Sequence, residues 1–155
     1  MNRIGLSKEA VKKVAEHLDQ HLADLHVLYT KLHNYHWNVE GPGFFTIHAK
    51  LEELYDAVAE EIDAVAERIL MIGQRPSASL AEYLKKARLE EAESAAISGA
   101  DIAKDLLADY GQLVAGLREG IAAAQEANDE VSADLMIGSL AEYEKTIWML
   151  DAFLK

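Results

Sequence analysis

The 155-residue chain carries 15 basic and 27 acidic side chains, which gives a formal net charge of −12 at pH 7. This charge opposes general attraction to nucleic acid or to an anionic membrane and favours the binding of cations. The chain has no cysteine, which excludes disulfides, thiolate metal sites and iron–sulfur clusters within it. Its length favours one domain, over residues 1–155.

The N-terminal sequence MNRIGLSKEA has no apolar run typical of a signal peptide. No stretch of about 18 uncharged apolar residues follows that would span a bilayer. We therefore expect a soluble and cytoplasmic protein.

Apolar residues at steps of three and four from Val11 to Leu32 predict a first long helix. Ser7 is its expected N-cap, and it should run to about Trp37 before the break at Gly41-Pro42-Gly43. The same spacing from Ile47 to Ile72 predicts a second helix of similar length. Two helices longer than the globular average favour a helical bundle.

A connection from Gly73 to about Glu93 is too long for a helical hairpin, and Ser79-Leu80-Ala81-Glu82 is a capping box that predicts a short helix within it. Two further apolar stripes predict long helices over 97–121 and 131–154, separated by a turn at Asn128-Asp129. No run alternates with period two over a useful length. The predicted fold is all-α, with four long helices and a short extra helix in the crossover.

Histidines and carboxylates concentrate between His33 and Glu67, and neutral imidazole together with carboxylate is a usual donor set for a divalent metal ion. At 100° per residue, His48, Glu52, Asp63 and Glu67 share an arc of about 100° that turns away from the apolar stripe of the second helix. The polar arc therefore does not face the core of its own chain.

Apolar and aromatic residues share this arc, and they would be unusual on a freely solvated helix face. They are Tyr55, Ala59, Ala66 and Leu70. Small alanine side chains let another helix approach closely, so we expect a second subunit to cover this surface.

The length of the second helix decides how a metal site can be built. His48 and Asp63 are fifteen residues apart, about 22 Å along a helix, so they cannot bind one metal ion within one chain. Two antiparallel copies related by a two-fold axis would bring His48 of one against Asp63 and Glu67 of the other, with His36 beside His48 across the glycine-rich turn. This predicts two equivalent sites per dimer.

Periodicity alone leaves an alternative open. Asp63 and Glu67 can form an ordinary solvated pair, with Arg68 and Lys50 supplying surface salt bridges, while the histidines form interfacial hydrogen bonds. Four histidines are interpreted as structural or surface residues because nothing acidic completes a ligand set around them: His17, His21, His26 and His33. Three other rings are interpreted as core or interface: Tyr35, Tyr55 and Trp148.

The segment KLHNYHWNVEGPGFFTIHAKLEELYDAVAEEIDAVAERIL resembles the Dps family, the mini-ferritins named as DNA-binding proteins from starved cells. The resemblance is carried by His36-Trp37, by His48 twelve residues after His36, and by Asp63 and Glu67 in the pattern D-x-x-A-E-R. It continues more weakly through SADLM and IWML and covers nearly the whole chain.

The resemblance implies a ferritin-like four-helix bundle that assembles as a dodecameric hollow shell. It makes His36 and His48 iron ligands from one subunit and Asp63 and Glu67 ligands from its neighbour, in agreement with the distance argument. Glu52 matches a position that contacts a second, weaker metal ion, so up to two irons bind per centre. The implied activity is that of a ferroxidase, which oxidises Fe(II), preferentially with hydrogen peroxide rather than oxygen, and stores ferric mineral.

The resemblance also suggests roles for other residues. Trp37 matches the tryptophan beside the centre, where an indole can donate an electron, although packing is its plainer interpretation. Acidic residues near the start of the last helix line three-fold pores in the family, and the candidates here are Glu126, Asp129, Glu130 and Asp134. Helix capping and compensation of the helix dipole explain most of these acids equally well.

The sequence differs from DNA-binding members of the family at its ends, because Lys8, Lys12 and Lys13 fall inside the first helix and no lysine-rich tail is expected. With its negative charge, the assembly should not bind DNA at physiological salt unless divalent ions bridge the two. Two alternatives remain. The first is a di-iron site within each bundle, which would need the motif E-x-x-H, and this motif is absent. The second is a non-enzymatic nucleoid shell that protects DNA.

Overall fold

The computed structural model describes residues 2–155, so Met1 of the predicted domain lies outside the described residues. The elements in chain order are α1 (Lys8–Asn38), β1 (Val39–Glu40), α2 (Phe44–Met71), α3 (Leu80–Lys86), β2 (Ile97–Ser98), α4 (Gly99–Glu126) and α5 (Glu130–Phe153). The all-α prediction of four long helices and a short helix in the crossover is confirmed.

The first helix, α1, forms the centre of the core. Ser7 caps it by accepting a hydrogen bond from the Ala10 backbone N–H at 3.2 Å. Its apolar stripe, from Val11 to Leu32, is buried against α2 and α4. Each fully buried leucine contributes about 1.5–3 kcal/mol, so this stripe is what holds the bundle together.

Two glycines in left-handed conformations form the turn between α1 and α2. Gly41 and Gly43 have φ of 92° and 78°, values that other residues adopt only with strain. Gly43 is also the N-cap of α2 and makes no side-chain capping bond. The tight turn brings the last turn of α1 beside the first turn of α2.

A parallel bridge of two residues per strand, β1 with β2, follows α1. Val39 pairs with Ile97 and Glu40 with Ser98. The bridge was not predicted, because two residues are too few to show a period-two pattern. Because Ile97 and Ser98 belong to the bridge, α4 begins at Gly99 instead of at the predicted position 97. A β-carbon at Gly99 would lie 2.0 Å from the Ile47 side chain, so α4 begins close against α2.

The crossover folds back onto α1 through polar contacts. Asp19 of α1 accepts hydrogen bonds from the Ser77 backbone N–H at 2.7 Å and from the Lys86 ammonium at 2.5 Å. Tyr83 of α3 stacks on His26 with ring centroids 3.8 Å apart. The predicted capping box is present, since Ser79 accepts from the Glu82 N–H at 3.3 Å.

The four long helices do not pack equally against one another. α2 packs along α1 and α5 packs along α4, whereas few contacts join α2 to α5. This leaves an open groove between them, here called the α2–α5 groove, with Glu61, Tyr110 and Tyr143 among its lining residues. Across residues 2–155, no helix combines the length and the hydropathy needed to cross a bilayer.

Candidate metal centre

His36 at the end of α1 and His48 at the start of α2 lie face to face. Their rings stack with centroids 3.7 Å apart and an interplanar angle of 18°. The Nδ1 atom of His36 lies 2.8 Å from the backbone carbonyl oxygen of His48, and Nδ1 of His48 lies 2.8 Å from the carbonyl oxygen of His36. The two residues therefore orient each other through reciprocal hydrogen bonds.

These hydrogen bonds determine the tautomer of both imidazoles. A carbonyl oxygen only accepts, so each Nδ1 carries the proton, and the lone pair of each neutral ring is on Nε2. An imidazole whose second nitrogen donates to a carbonyl is the usual arrangement of a metal ligand, because the hydrogen bond fixes the ring and raises its basicity. The stacked pair therefore has two Nε2 lone pairs that no hydrogen bond within residues 2–155 uses.

The predicted acidic ligands are at the other end of α2. Asp63 and Glu67 are exposed, and within residues 2–155 neither forms an ion pair or a side-chain hydrogen bond. The cations considered as their surface partners are engaged elsewhere, since Lys50 pairs with Glu53 at 2.7 Å and Arg68 pairs with Asp129 at 2.6 Å. Lys50 thus supplies a surface salt bridge as the alternative interpretation expects, but within residues 2–155 neither cation pairs with Asp63 or Glu67.

Glu52, the candidate for a second metal ion, is exposed one helical turn after His48. In the part of the chain that is described, no three histidine or carboxylate side chains come close enough together to hold a metal ion. The chain thus presents two half-sites. The imidazole pair joins the end of α1 to the start of α2, and the carboxylate pair lies further along α2, with His48 and Asp63 fifteen residues apart, which is about 22 Å along the helix.

Aromatic rings surround the imidazole half-site. The Tyr55 ring meets the His36 ring edge-on with centroids 5.3 Å apart, and it stacks on His33 at 3.9 Å. His33 in turn lies 5.3 Å from Trp37, whose surface is 71% exposed. Partial burial and the neighbouring charges of Glu52 and an adjacent aspartate raise the pKa of Tyr55. Trp37 therefore contacts the half-site through His33, and Tyr55 is a neighbour that sequence analysis assigned only to packing.

The remaining histidines differ in their surroundings. His26 and His33 pack against tyrosines. His21 is buried, and its Nε2 lies 2.8 Å from Oε1 of Glu61, an acidic neighbour that the sequence analysis did not identify. Position 61 falls on the border of the apolar stripe of α2, and periodicity alone could not pair it with a residue forty positions earlier.

The four pore candidates have unlike environments. Glu130 and Asp134 are exposed on the first turns of α5 and line the same shallow depression. Glu126 pairs with Lys13 at 2.5 Å on the surface. Asp129 is only 3% exposed, caps α5 by accepting from the Ser132 N–H at 3.1 Å, and binds the Arg68 guanidinium. Its placement favours the capping interpretation over pore lining.

Comparisons with known proteins identify the type of fold. The model of the ferritin-like domain matches residues 15–155. DNA protection during starvation protein 2 of Bacillus anthracis is 45% identical over 143 residues, which is 92% of this chain and 97% of that protein. A Dps protein from Bacillus brevis superimposes with a TM-score of 0.93 at 43% identity, covering 97% of this chain and all of that one.

A third similar protein is a Dps protein of Vibrio cholerae O1, described as a member of a broad superfamily of ferritin-like diiron-carboxylate proteins. Its structure superimposes with a TM-score of 0.96 at 38% identity and covers 100% of this chain and 97% of that one. The two folds thus superimpose over all of this chain and nearly all of that one.

Proposed function

Because this chain belongs to the ferritin-like family and, within it, to the Dps proteins, we propose that it is an iron-storage mini-ferritin with ferroxidase centres between subunits. Each centre takes His36 and His48 from one subunit and Asp63 and Glu67 from the two-fold partner, with Glu52 at a second, weaker iron position. The subunits assemble as a dodecamer, in the cytoplasm, whose cavity stores ferric mineral.

Iron is the substrate of the proposed reaction. Two Fe(II) ions supply the two electrons that hydrogen peroxide accepts: H₂O₂ + 2 Fe²⁺ + 2 H⁺ gives 2 Fe³⁺ + 2 H₂O. Because both electrons pass in one event, no hydroxyl radical is released, and the cell is protected from oxidative damage. Neutral imidazole with carboxylate suits Fe(II), and we propose peroxide rather than oxygen as the preferred oxidant.

One observation carries this proposal. The Nε2 atoms of the imidazole pair are free and its Nδ1 protons are fixed, while Asp63 and Glu67, whose carboxylates would complete the donor set, lie too far along α2 to reach it. A second copy of α2 in antiparallel orientation supplies them at both ends at once. A two-fold pair of subunits then contains two complete centres.

Complementation between subunits tests this arrangement. His48→Ala and Asp63→Ala should each abolish rapid peroxide-driven oxidation of Fe(II). When the two variants are co-expressed in equal amounts, about half of the pairs are mixed, and one of the two centres in each mixed pair is complete, so about a quarter of the wild-type centres return. Stopped-flow oxidation and Fe(II) bound per subunit measure this recovery.

Glu119→Ala removes an exposed acid of α4 and serves as the matched control, with unchanged rate and iron binding. Size-exclusion chromatography with light scattering checks that every protein assembles. Co-assembled particles that contain both variants but oxidise iron no faster than either variant alone would refute a centre shared between subunits.

We also propose that the assembly does not bind DNA, because of its charge of −12 per subunit. A gel-shift assay with linear duplex DNA in magnesium-free buffer should show no retarded band at about 150 mM salt. A retarded band under these conditions would favour the DNA-protecting shell over a purely iron-handling one.

A further inference from the structure

A second group of polar side chains lies inside the bundle, with one member from each long helix. It consists of His21 of α1, Glu61 of α2, Tyr110 of α4 and Tyr143 of α5. Glu61 accepts from the Tyr143 hydroxyl at 2.5 Å and lies 2.8 Å from Nε2 of His21. The Tyr110 and Tyr143 rings meet edge-on with centroids 5.2 Å apart. The proposed ferroxidase reaction uses none of these four residues.

The α2–α5 groove leads from the surface to this cluster. Glu61, Tyr110 and Tyr143 form part of its lining, and its volume is about 560 Å³. Small residues such as Ala57 and Gly138 keep it open, and a β-carbon at Gly138 would meet nothing within 4 Å. The charged residues along its sides are four glutamates and two lysines: Glu53, Glu60, Glu61, Glu142, Lys50 and Lys145. The groove is thus a negatively charged path from solvent to the centre of the bundle.

Two polar atoms of the cluster have no hydrogen-bonded partner in the described part of the chain. Nδ1 of His21 is buried without a hydrogen bond. The Tyr110 side chain is 1% exposed, lines the groove, and has no hydrogen-bonded partner for its hydroxyl among residues 2–155. Buried polar groups are nearly always hydrogen-bonded, so the enclosed Nδ1 of His21 is an exception, whereas the Tyr110 hydroxyl is not fully enclosed and faces the groove. A hydroxyl held at the base of an acidic groove without a partner is available to bind a cation.

We propose that the base of the α2–α5 groove binds one ferric ion through the Glu61 carboxylate and the phenolate oxygens of Tyr110 and Tyr143. His21 is a positioning residue, because its hydrogen bond fixes the Glu61 carboxylate. The proposal rests on the proposed function only for the source of the ion, since the ferroxidase reaction produces Fe(III).

The charges at this site can balance a trivalent ion. One carboxylate and two phenolates carry three negative charges, which balance Fe³⁺, and binding releases the two phenolic protons into the groove. A charge buried without compensation is strongly unfavourable, so this balance matters more here than on the surface. A divalent ion would be balanced by the carboxylate and one phenolate, so loss of both phenolic protons distinguishes the ferric site.

The surroundings of these groups shift their pKa values. Burial and the charge of Glu61 raise the pKa of both Tyr110 and Tyr143. Burial alone would raise the pKa of Glu61, but hydrogen bonds from His21 and its neighbours outweigh it and hold that pKa below the usual value. The site is carried by its geometry, since Glu61 is held by His21 and Tyr143 at the base of the groove that Tyr110 also lines.

Ferric nitrilotriacetate added to the iron-free assembly tests the site directly. Coordination by phenolate produces a charge-transfer band in the visible region, which neither an imidazole–carboxylate site nor ferric mineral gives. We expect this band in the parent protein, a weaker band in Tyr110→Phe, and none in the Tyr110→Phe/Tyr143→Phe double variant. Tyr110→Phe is the sharpest change, because its hydroxyl makes no bond within the fold and thermal stability should be retained.

Two further variants separate this site from the other features of the molecule. Gly138→Leu fills the groove without touching the cluster, and it should slow the appearance of the band. His48→Ala/Asp63→Ala removes the proposed inter-subunit centre and should leave the band unchanged. The proposal is wrong if the parent protein gives no band, if Tyr110→Phe leaves the band at full strength, or if the His48→Ala/Asp63→Ala protein loses it.

Discussion

The ion pair between Arg68 and Asp129 makes the sharpest stability prediction. The two residues are 8% and 3% exposed, the Arg68 Nη2 atom lies 2.6 Å from Oδ1 of Asp129, and the Arg68 Nε–H donates to Ser132 Oγ at 2.8 Å. Arg68→Met fills similar space but leaves a buried carboxylate without its counter-charge. Breaking a buried pair from one side costs about 3–5 kcal/mol.

The double variant Arg68→Met/Asp129→Asn isolates the cause, because asparagine caps a helix as well as aspartate does and carries no charge. It should recover most of the lost stability. Lys13→Gln breaks the surface pair with Glu126, whose side chains are 55% and 73% exposed, and is the matched control with an expected loss of about 0–1 kcal/mol.

Urea unfolding followed by far-UV circular dichroism measures these differences, with all proteins at one subunit concentration because assembly adds a concentration-dependent contribution. Thermal midpoints should fall by about 6–20 °C in Arg68→Met. The reasoning fails if Arg68→Met unfolds within about 1 kcal/mol of the parent, or if the double variant is no more stable than Arg68→Met alone.

Three other predictions concern the scaffold. Burial alone would raise the pKa of Asp19, but hydrogen bonds from the crossover outweigh it and lower that pKa. The stability lost in Asp19→Asn should therefore be full above about pH 5, decline as the pH falls through the unfolded pKa of about 4, and vanish only below the lower folded pKa. Acid titration of both unfolding curves checks this, and a difference that persists at low pH would contradict it. Gly116→Ala places a β-carbon 2.2 Å from the Arg88 guanidinium, which is bound to the fully buried Asp24. This crowding should lower the free energy of unfolding in urea by about 1–3 kcal/mol. An unchanged urea midpoint would show that Arg88 moves aside freely. Ser79→Ala removes the cap of α3 and should cost about 0.5–2 kcal/mol locally, seen as faster amide hydrogen exchange in residues 80–86 with no change in the core helices.

The sequence predicted the helices well because each has a continuous apolar stripe and clear ends. Ser7 and the Ser79 capping box marked two starts correctly, and the glycines at 41 and 43 marked the turn that the structure places there. These signals are local, so they could be read from residues three or four positions apart. The bridge between Val39 and Ile97 depends on residues 58 apart, and no local pattern indicates it.

The candidate centre shows the same division between local and distant information. Helical geometry placed His48 and Asp63 beyond reach of each other, and the glycine-rich turn predicted that His36 would lie beside His48, as it does. The reciprocal hydrogen bonds between their rings and carbonyl groups could not be predicted, because they depend on backbone conformation at the turn. The Glu61 cluster was missed because its members come from four helices.

The β1–β2 bridge limits how far motion of the crossover can disturb the residues around His36. Asn34 of α1 donates to the backbone carbonyl groups of residues 92 and 93, and the bridge fixes Ile97 and Ser98. Between these two anchor points lie three exposed residues, 94–96. A peptide inserted between residues 95 and 96 would be anchored on one side by Asn34 and on the other by the bridge. Residue 94 lines the same depression as His33 and Trp37, so a label or targeting sequence belongs after it.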